Sequence, residues 1–214
     1  MTIAVKICGL SEPTTLDAAV EAGAAYIGFN FFRRSPRFVT AEKAGELADN
    51  VPRGVTAVGL FVNPTDAELD LTLRDVPLGM IQLHGRETPE RVAAVRTRTG
   101  LPVMKALGIA SARDVMAAAN YADVADWLLF DAKPPKDASR PGGNAVPFDW
   151  SLMRAFTAST PWMLAGGLTR ANVKAAIKAS GAQAVDVSSG VETKPGRKSA
   201  AKIRAFIKAV HAPG

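Results

Sequence analysis

Apolar positions along this chain fall into two alternating spacings. Short runs rich in β-branched and aromatic residues, ending near Cys8, Phe32, Val62, His84, Leu107, Asp131, Gly166 and Ser188, read as strands. Between them apolar residues recur at helical spacing, and most of these stretches open on a capping residue. Leu16, Ala19, Val20 and Gly23 share a face of the first helix, with Ser11 as its expected N-cap and Pro13 in its first turn. Thr40 caps the second helix, Thr65 and Glu68 have capping-box spacing for the third, and Thr88-Pro89 opens a fourth that stops at Gly100. Ser111 caps the fifth and Asp149 the sixth, whose apolar stripe is Leu152 and Phe156. The seventh runs from Thr169 to Gly181, and Ile203, Phe206, Ile207 and Val210 make the face of the last.

Eight such units with short connections predict an α/β fold, a single closed (β/α)₈ TIM barrel filling residues 1–214. An open doubly wound sheet usually carries its glycine-rich loop after the first strand, where this chain has only Gly9. The glycines gather instead after the seventh and eighth strands. With 48% hydrophobic and 21% charged residues the chain is long enough to bury a large core.

A single cysteine excludes an intrachain disulfide framework and fits a reducing compartment. The N-terminus does not read as a signal peptide and no apolar run approaches membrane-spanning length, so a cytoplasmic protein without a membrane partner is expected. The net charge of +6 raises nucleic acid as a partner. Its densest stretch, however, is Lys194, Arg197, Lys198, Lys202, Arg204 and Lys208, of which the last four read as the solvated face of a helix. A small anionic substrate, and no nucleic acid, is the expectation. One histidine beyond His84 and one cysteine make no zinc cluster.

Two late turns, Ala165-Gly166-Gly167-Leu168 and Val187-Ser188-Ser189-Gly190, stand where barrels often bind phosphate. The segment between Asp131 and Phe148 holds Pro134, Pro135, Pro141, Gly142 and Gly143, the composition of a long functional loop. Taken alone, Cys8 reads as a small buried hydrophobe, Arg37 as an exposed arginine, and Asp131 equally as a turn cap or an acid. At the C-terminal mouth of one barrel, though, an acid on one strand and a thiol on another suit proton transfer. His84 and Gln82 share parity, so both should point one way. Lys6 shares parity with Cys8, one layer lower in the barrel. A buried lysine needs a partner, and Asp186 on the adjoining eighth strand is the expected one.

The ordered blocks Lys6-Ile7-Cys8-Gly9, Gly28-Phe29, Ser35-Pro36-Arg37, Gly59-Leu60-Phe61-Val62-Asn63, Gln82-Leu83-His84-Gly85, Leu129-Phe130-Asp131, Phe148-Asp149-Trp150, Ala165-Gly166-Gly167-Leu168 and Val185-Asp186-Val187-Ser188-Ser189-Gly190-Val191-Glu192 span almost the whole chain. This set resembles the phosphoribosylanthranilate isomerases of tryptophan biosynthesis. The resemblance implies an Amadori rearrangement of N-(5-phosphoribosyl)anthranilate to its 1-deoxyribulose isomer, without a cofactor. It implies Cys8 as general base, Asp131 as general acid and Arg37 as the contact of the anthranilate carboxylate. His84 is expected as a further substrate-binding residue, and the resemblance implies Gly166, Gly167, Ser188, Ser189 and Gly190 as the phosphate cradle. Phe31, Phe32 and the long loop are expected to wall the aromatic ring.

Two departures mark this chain. Gly142-Gly143-Asn144-Ala145 stands where the family usually has Gly-Gly-Thr-Gly, and Ser199 replaces an acid as a changed helix cap. A histidine-pathway aminoaldose isomerase, which uses an aspartate in place of Cys8, and a phosphosugar- or RNA-binding module are the alternatives. A monomer is favoured over a homodimer.

Overall fold

The strand–helix alternation closes on itself. In the computed structural model, which describes residues 2–133, 142 and 147–212, eight parallel strands form a closed barrel in sequence order. They are β1 Ala4–Cys8, β2 Tyr26–Asn30, β3 Thr56–Phe61, β4 Met80–Leu83, β5 Val103–Ile109, β6 Trp127–Ala132, β7 Trp162–Leu164 and β8 Ala184–Val187. The helices α1 Pro13–Glu21, α2 Ala41–Ala48, α3 Asp66–Asp75, α4 Pro89–Thr99, α5 Ala112–Ala117, α6 Val173–Ser180 and α7 Ala200–His211 alternate with them. A small hairpin, β9 Glu192–Lys194 with β10 Arg197–Lys198, is inserted before α7.

Thr40, Thr88, Ser111 and Ser199 accept the N3 backbone N–H of their helices, and Thr65 with Glu68 closes a full capping box. Gly100 and Gly181 end α4 and α6 in left-handed geometry. Three expectations need correction. The N-cap of α1 is Glu12, not Ser11, and no side chain among the described residues caps it; Pro13 at its first position already removes one orphan donor. The sixth element, capped by Asp149 as expected, is a 3₁₀ helix, Trp150–Ala155, with only Met153 buried in it. The seventh begins at Val173, because Asn172 turns back to bond Thr169 N–H and Gly167 C=O.

Alternation divides each strand between two cores. Outward residues such as Val5, Ile7, Ile27, Phe29, Ile81 and Leu128 pack under the helices. Inward Val58, Met80, Met104, Leu129, Met163 and Ala184 fill the lumen. At the C-terminal ends of the strands the lumen turns polar, and the inward positions there are Cys8, Gln82, Asp131 and Asp186.

Candidate active site

A cavity opens at the C-terminal face of the barrel. Cys8, the last residue of β1, lines it, and Ser188 Oγ donates to the Cys8 carbonyl at 3.0 Å, tying β1 to the turn after β8. One layer down, fully buried Lys6 lies opposite Asp186 in the β1–β8 register and its Nζ is 2.8 Å from Asp186 Oδ1. This is the pair expected from parity and barrel closure. Gly28 of β2 makes room for the arrangement: a Cβ there would stand 3.0 Å from Cys8 Sγ and 3.3 Å from Lys6 Nζ. Burial pushes the Cys8 thiol above its ordinary range; Lys6 and Lys198 pull it down, and Asp186 adds to the rise. The resting group is therefore a thiol.

Across the cavity β6 presents Asp131. Its Oδ1 accepts the Ala132 N–H at 2.8 Å, which leaves Oδ2 beside His84 Nε2 at 3.5 Å. The other ring nitrogen, Nδ1, is 3.1 Å from Gln82 Nε2, so the shared parity of these two residues does bring them together. Gly142 passes directly above, where a Cβ would be 2.6 Å from Asp131 Oδ2 and 2.7 Å from His84 Nε2. Of the long loop's expected glycines and prolines, Pro134, Pro135, Pro141 and Gly143 lie outside the described residues, as do Asn144 and Ala145. Behind His84 a buried ion pair braces the chain: Lys105 Nζ reaches Glu87 Oε2 at 2.7 Å and Gly85 C=O at 2.8 Å.

Arg37 is neither exposed nor open-handed. It is 4% exposed, and its Nε and Nη2 meet Glu192 Oε1 and Oε2 at 2.7 and 3.0 Å. Its aliphatic stem lies over Gly9, where a Cβ would come within 2.8 Å of it. Lys198 is a second correction: it sits on β10 rather than a helix face, is buried, and donates to Glu192 Oε1 at 2.8 Å and Ser188 O at 2.9 Å. Burial would raise the Glu192 carboxyl, but the Arg37 hydrogen bond and the Lys198 charge outweigh it and hold it low. Phe32, Leu60 and Val62 line the cavity, whereas Phe31 stacks on Phe61 at 5.1 Å and faces a separate surface groove.

Gly166 and Gly167 take left-handed conformations, with φ of 86° and 64°, and line the cavity with Ser188 and Ser189. Gly190 is not among the lining residues. It lets the two turns touch, since a Cβ on it would fall 2.0 Å from Leu168 O.

The sequence matches the family model for N-(5'phosphoribosyl)anthranilate (PRA) isomerase over residues 5–209. It is 59% identical over 213 residues to the N-(5'-phosphoribosyl)anthranilate isomerase of Paracoccus denitrificans, covering 100% of this chain and 99% of the relative. The chain belongs to the phosphoribosylanthranilate isomerase family. Its members are isomerases of tryptophan biosynthesis, and this chain is one of them. The Paramagnetospirillum magneticum isomerase is 58% identical, over 98% of this chain and 97% of its own. Among solved structures, the Thermotoga maritima phosphoribosylanthranilate isomerase superposes with a TM-score of 0.86 at 36% identity, covering 98% of each chain. Another solved phosphoribosylanthranilate isomerase structure, 34% identical over 98% of each chain with a TM-score of 0.83, holds reduced 1-(o-carboxyphenylamino)-1-deoxyribulose 5-phosphate.

Two residues behind this family member's cavity, Glu192 and Lys198, have no role assigned from sequence, although both are tied to the cavity-lining Arg37 and Ser188. Glu192 carried a signal, an acid two residues beyond the last glycine turn. Lys198 was masked by neighbours whose spacing suits a helix. Among the described residues no group of three or more histidine, cysteine or acidic side chains could hold a metal, and no helix is long and apolar enough to cross a membrane.

Proposed function

We propose that this isomerase carries out its Amadori rearrangement with Asp131 as general acid and Cys8 as general base. The carrying observation is that both groups line one cavity from strands on different sides of the barrel, each held by its own hydrogen-bonding network. Asp131 gives a proton to the furanose ring oxygen, the C1′–O bond breaks, and the anilinic nitrogen becomes part of a protonated Schiff base. That cation acidifies C2′–H. The Cys8 thiolate takes this proton, and the C–H electrons form the C1′=C2′ bond of an enaminol. The Asp131 carboxylate then takes the O2′ proton and the Cys8 thiol protonates C1′, which gives the ketone and restores the acid and the thiolate, so charge and atoms balance.

Cys8 rests as a thiol and first gives its proton to solvent, so positive charge must stabilise its ionised form. Lys6 and Lys198 supply two such charges, and the Schiff-base cation a third. Substrate phosphate is assigned to Gly166, Gly167, Ser188 and Ser189, with Gly190 shaping the turn behind them. The aromatic ring is assigned to the side of Phe32, Leu60 and Val62, and His84 stands over the ribose beside Asp131. Arg37 remains the group for the substrate carboxylate, with an altered geometry. Glu192 holds two nitrogens of its fork, so the contact is through Nη1 rather than bidentate. Holding the substrate at both anionic ends over Cys8 supplies positioning worth several kcal/mol of barrier.

The chain is read as a monomer; only Leu71 and Met116 are large exposed apolar side chains among the described residues. A turnover assay that follows anthranilate fluorescence on purified protein tests the activity. Absence of turnover with properly folded protein would overturn the reading.

A further inference from the structure

Gln82 has no part in the steps above, yet it is fully buried on the cavity wall. Its Oε1 is one of two buried side-chain polar atoms without a hydrogen-bond partner among the described residues. Buried acceptors are rarely left unpaired, so the amide's orientation calls for a cause. Turned over, it would point Oε1 at His84 instead.

Asp131 provides the cause. Because Ala132 N–H holds Oδ1, Asp131 Oδ2 faces His84 Nε2 at 3.5 Å. Once Asp131 has given up its proton, the carboxylate oxygen there demands a proton on Nε2, since a ring lone pair would be repelled. A neutral imidazole protonated at Nε2 carries its lone pair on Nδ1, and that nitrogen needs a donor. Gln82 Nε2, 3.1 Å away, is placed to be that donor. The orphaned Oε1 is the consequence.

We infer that Gln82 is a positioning residue of this active site: its amide N–H holds His84 in the Nε2–H tautomer, which makes the ring a standing hydrogen-bond donor to Asp131. The inference deepens the assignment of Asp131 as acid and rests on it. Once Asp131 has passed its proton to the ring oxygen it is an anion. An N–H aimed at it is then worth more than before the transfer, which is the condition for lowering a barrier. The separation of 3.5 Å is long for a hydrogen bond and is expected to shorten around substrate.

The chain has two histidines, so a His211→Gln background leaves His84 as the only imidazole. Long-range proton–nitrogen NMR correlations of that ring, at mildly alkaline pH and without substrate, should show Nε2 protonated and Nδ1 bare. Gln82→Met, of similar volume, should replace the fixed tautomer with averaged ring shifts and lower kcat about tenfold with little change in KM. Gln82→Glu can only accept at that position; it should move the proton to Nδ1 and lose more activity. If the Glu variant fails to fold, the Met variant carries the test. A wild-type ring protonated at Nδ1, or a Met variant with unmoved ring shifts and full kcat, would overturn the inference. The tautomer is read in the resting protein, so a wrong tautomer sinks this proposal alone. Full turnover by Asp131→Asn would instead sink the acid assignment beneath it.

Discussion

Lys6 and Asp186, 180 residues apart in the chain, share a 2.8 Å ion pair inside the barrel one layer below Cys8. The lysine is wholly enclosed. Burial would lower its pKa, but the charge and hydrogen bond of Asp186 outweigh that and raise it, so it stays charged. The pair therefore keeps a permanent positive charge against the only thiol of the chain, the group proposed as the base.

Lys6→Met should lose about 3–5 kcal/mol of stability, because Asp186 is left buried and unpaired. Lys6 also draws the Cys8 pKa down, so its removal should move the pH dependence of thiol alkylation to higher pH. Cys8 is the single cysteine, which makes the labelling site unambiguous. Unchanged thermal stability together with an unchanged alkylation profile would contradict both effects.

Cys8→Ser should keep the fold and most product-analogue affinity while losing on the order of a hundredfold or more in kcat, since a hydroxyl ionises far less readily than a thiol. Steady-state kinetics beside a binding titration separates the two. Near-normal kcat would make Cys8 a packing residue.

Asp131→Asn preserves shape but removes the transferable proton. Turnover should fall by about a hundredfold or more, with the melting temperature little changed. A substrate that is already ring-opened should be partly spared, and equal loss on open and closed substrates would argue against a ring-opening role.

Arg37→Ala should weaken an anthranilate-bearing product analogue roughly tenfold, the worth of one charge-assisted hydrogen bond, because Glu192 holds the rest of the fork. A ribose phosphate lacking the carboxylate should bind almost as before. Calorimetry on both ligands decides it; parallel weakening would assign Arg37 to the phosphate or to the general field.

Glu192 predicts an acid-linked stability. Its carboxyl is held below its ordinary range in the folded chain, so the stability it contributes is full above that range. As pH falls through the lower folded value, the unfolded chain binds the proton more readily and the contribution is lost. Glu192→Gln should be less stable than the parent near neutrality, with Arg37 and Lys198 left underpaired. Its stability should also change less with pH below about 4.3, as measured by denaturant titrations across that range.

The sequence by itself determined the barrel and part of its interior. Strand period and helix period are local, so eight alternating units declare themselves, and closure then sets the last strand beside the first. Given that frame, the parity of Lys6 with Cys8 and the position of Asp186 were enough to place an ion pair across 180 residues. The same parity brought Gln82 to His84. The features that needed the folded chain lie on the connections, whose paths no period dictates. The hairpin after β8 brings Glu192, with Lys198 on it, to Arg37, and this turns Arg37 from an exposed arginine into one half of a buried pair lying over Gly9. The turn after β2 sends Phe31 onto Phe61 while Phe32 lines the cavity. Within a strand, hydrogen bonding to both neighbours fixes where every side chain points; in a loop, the direction of each side chain follows from whatever the loop is packed against, and that is known only once the chain is folded.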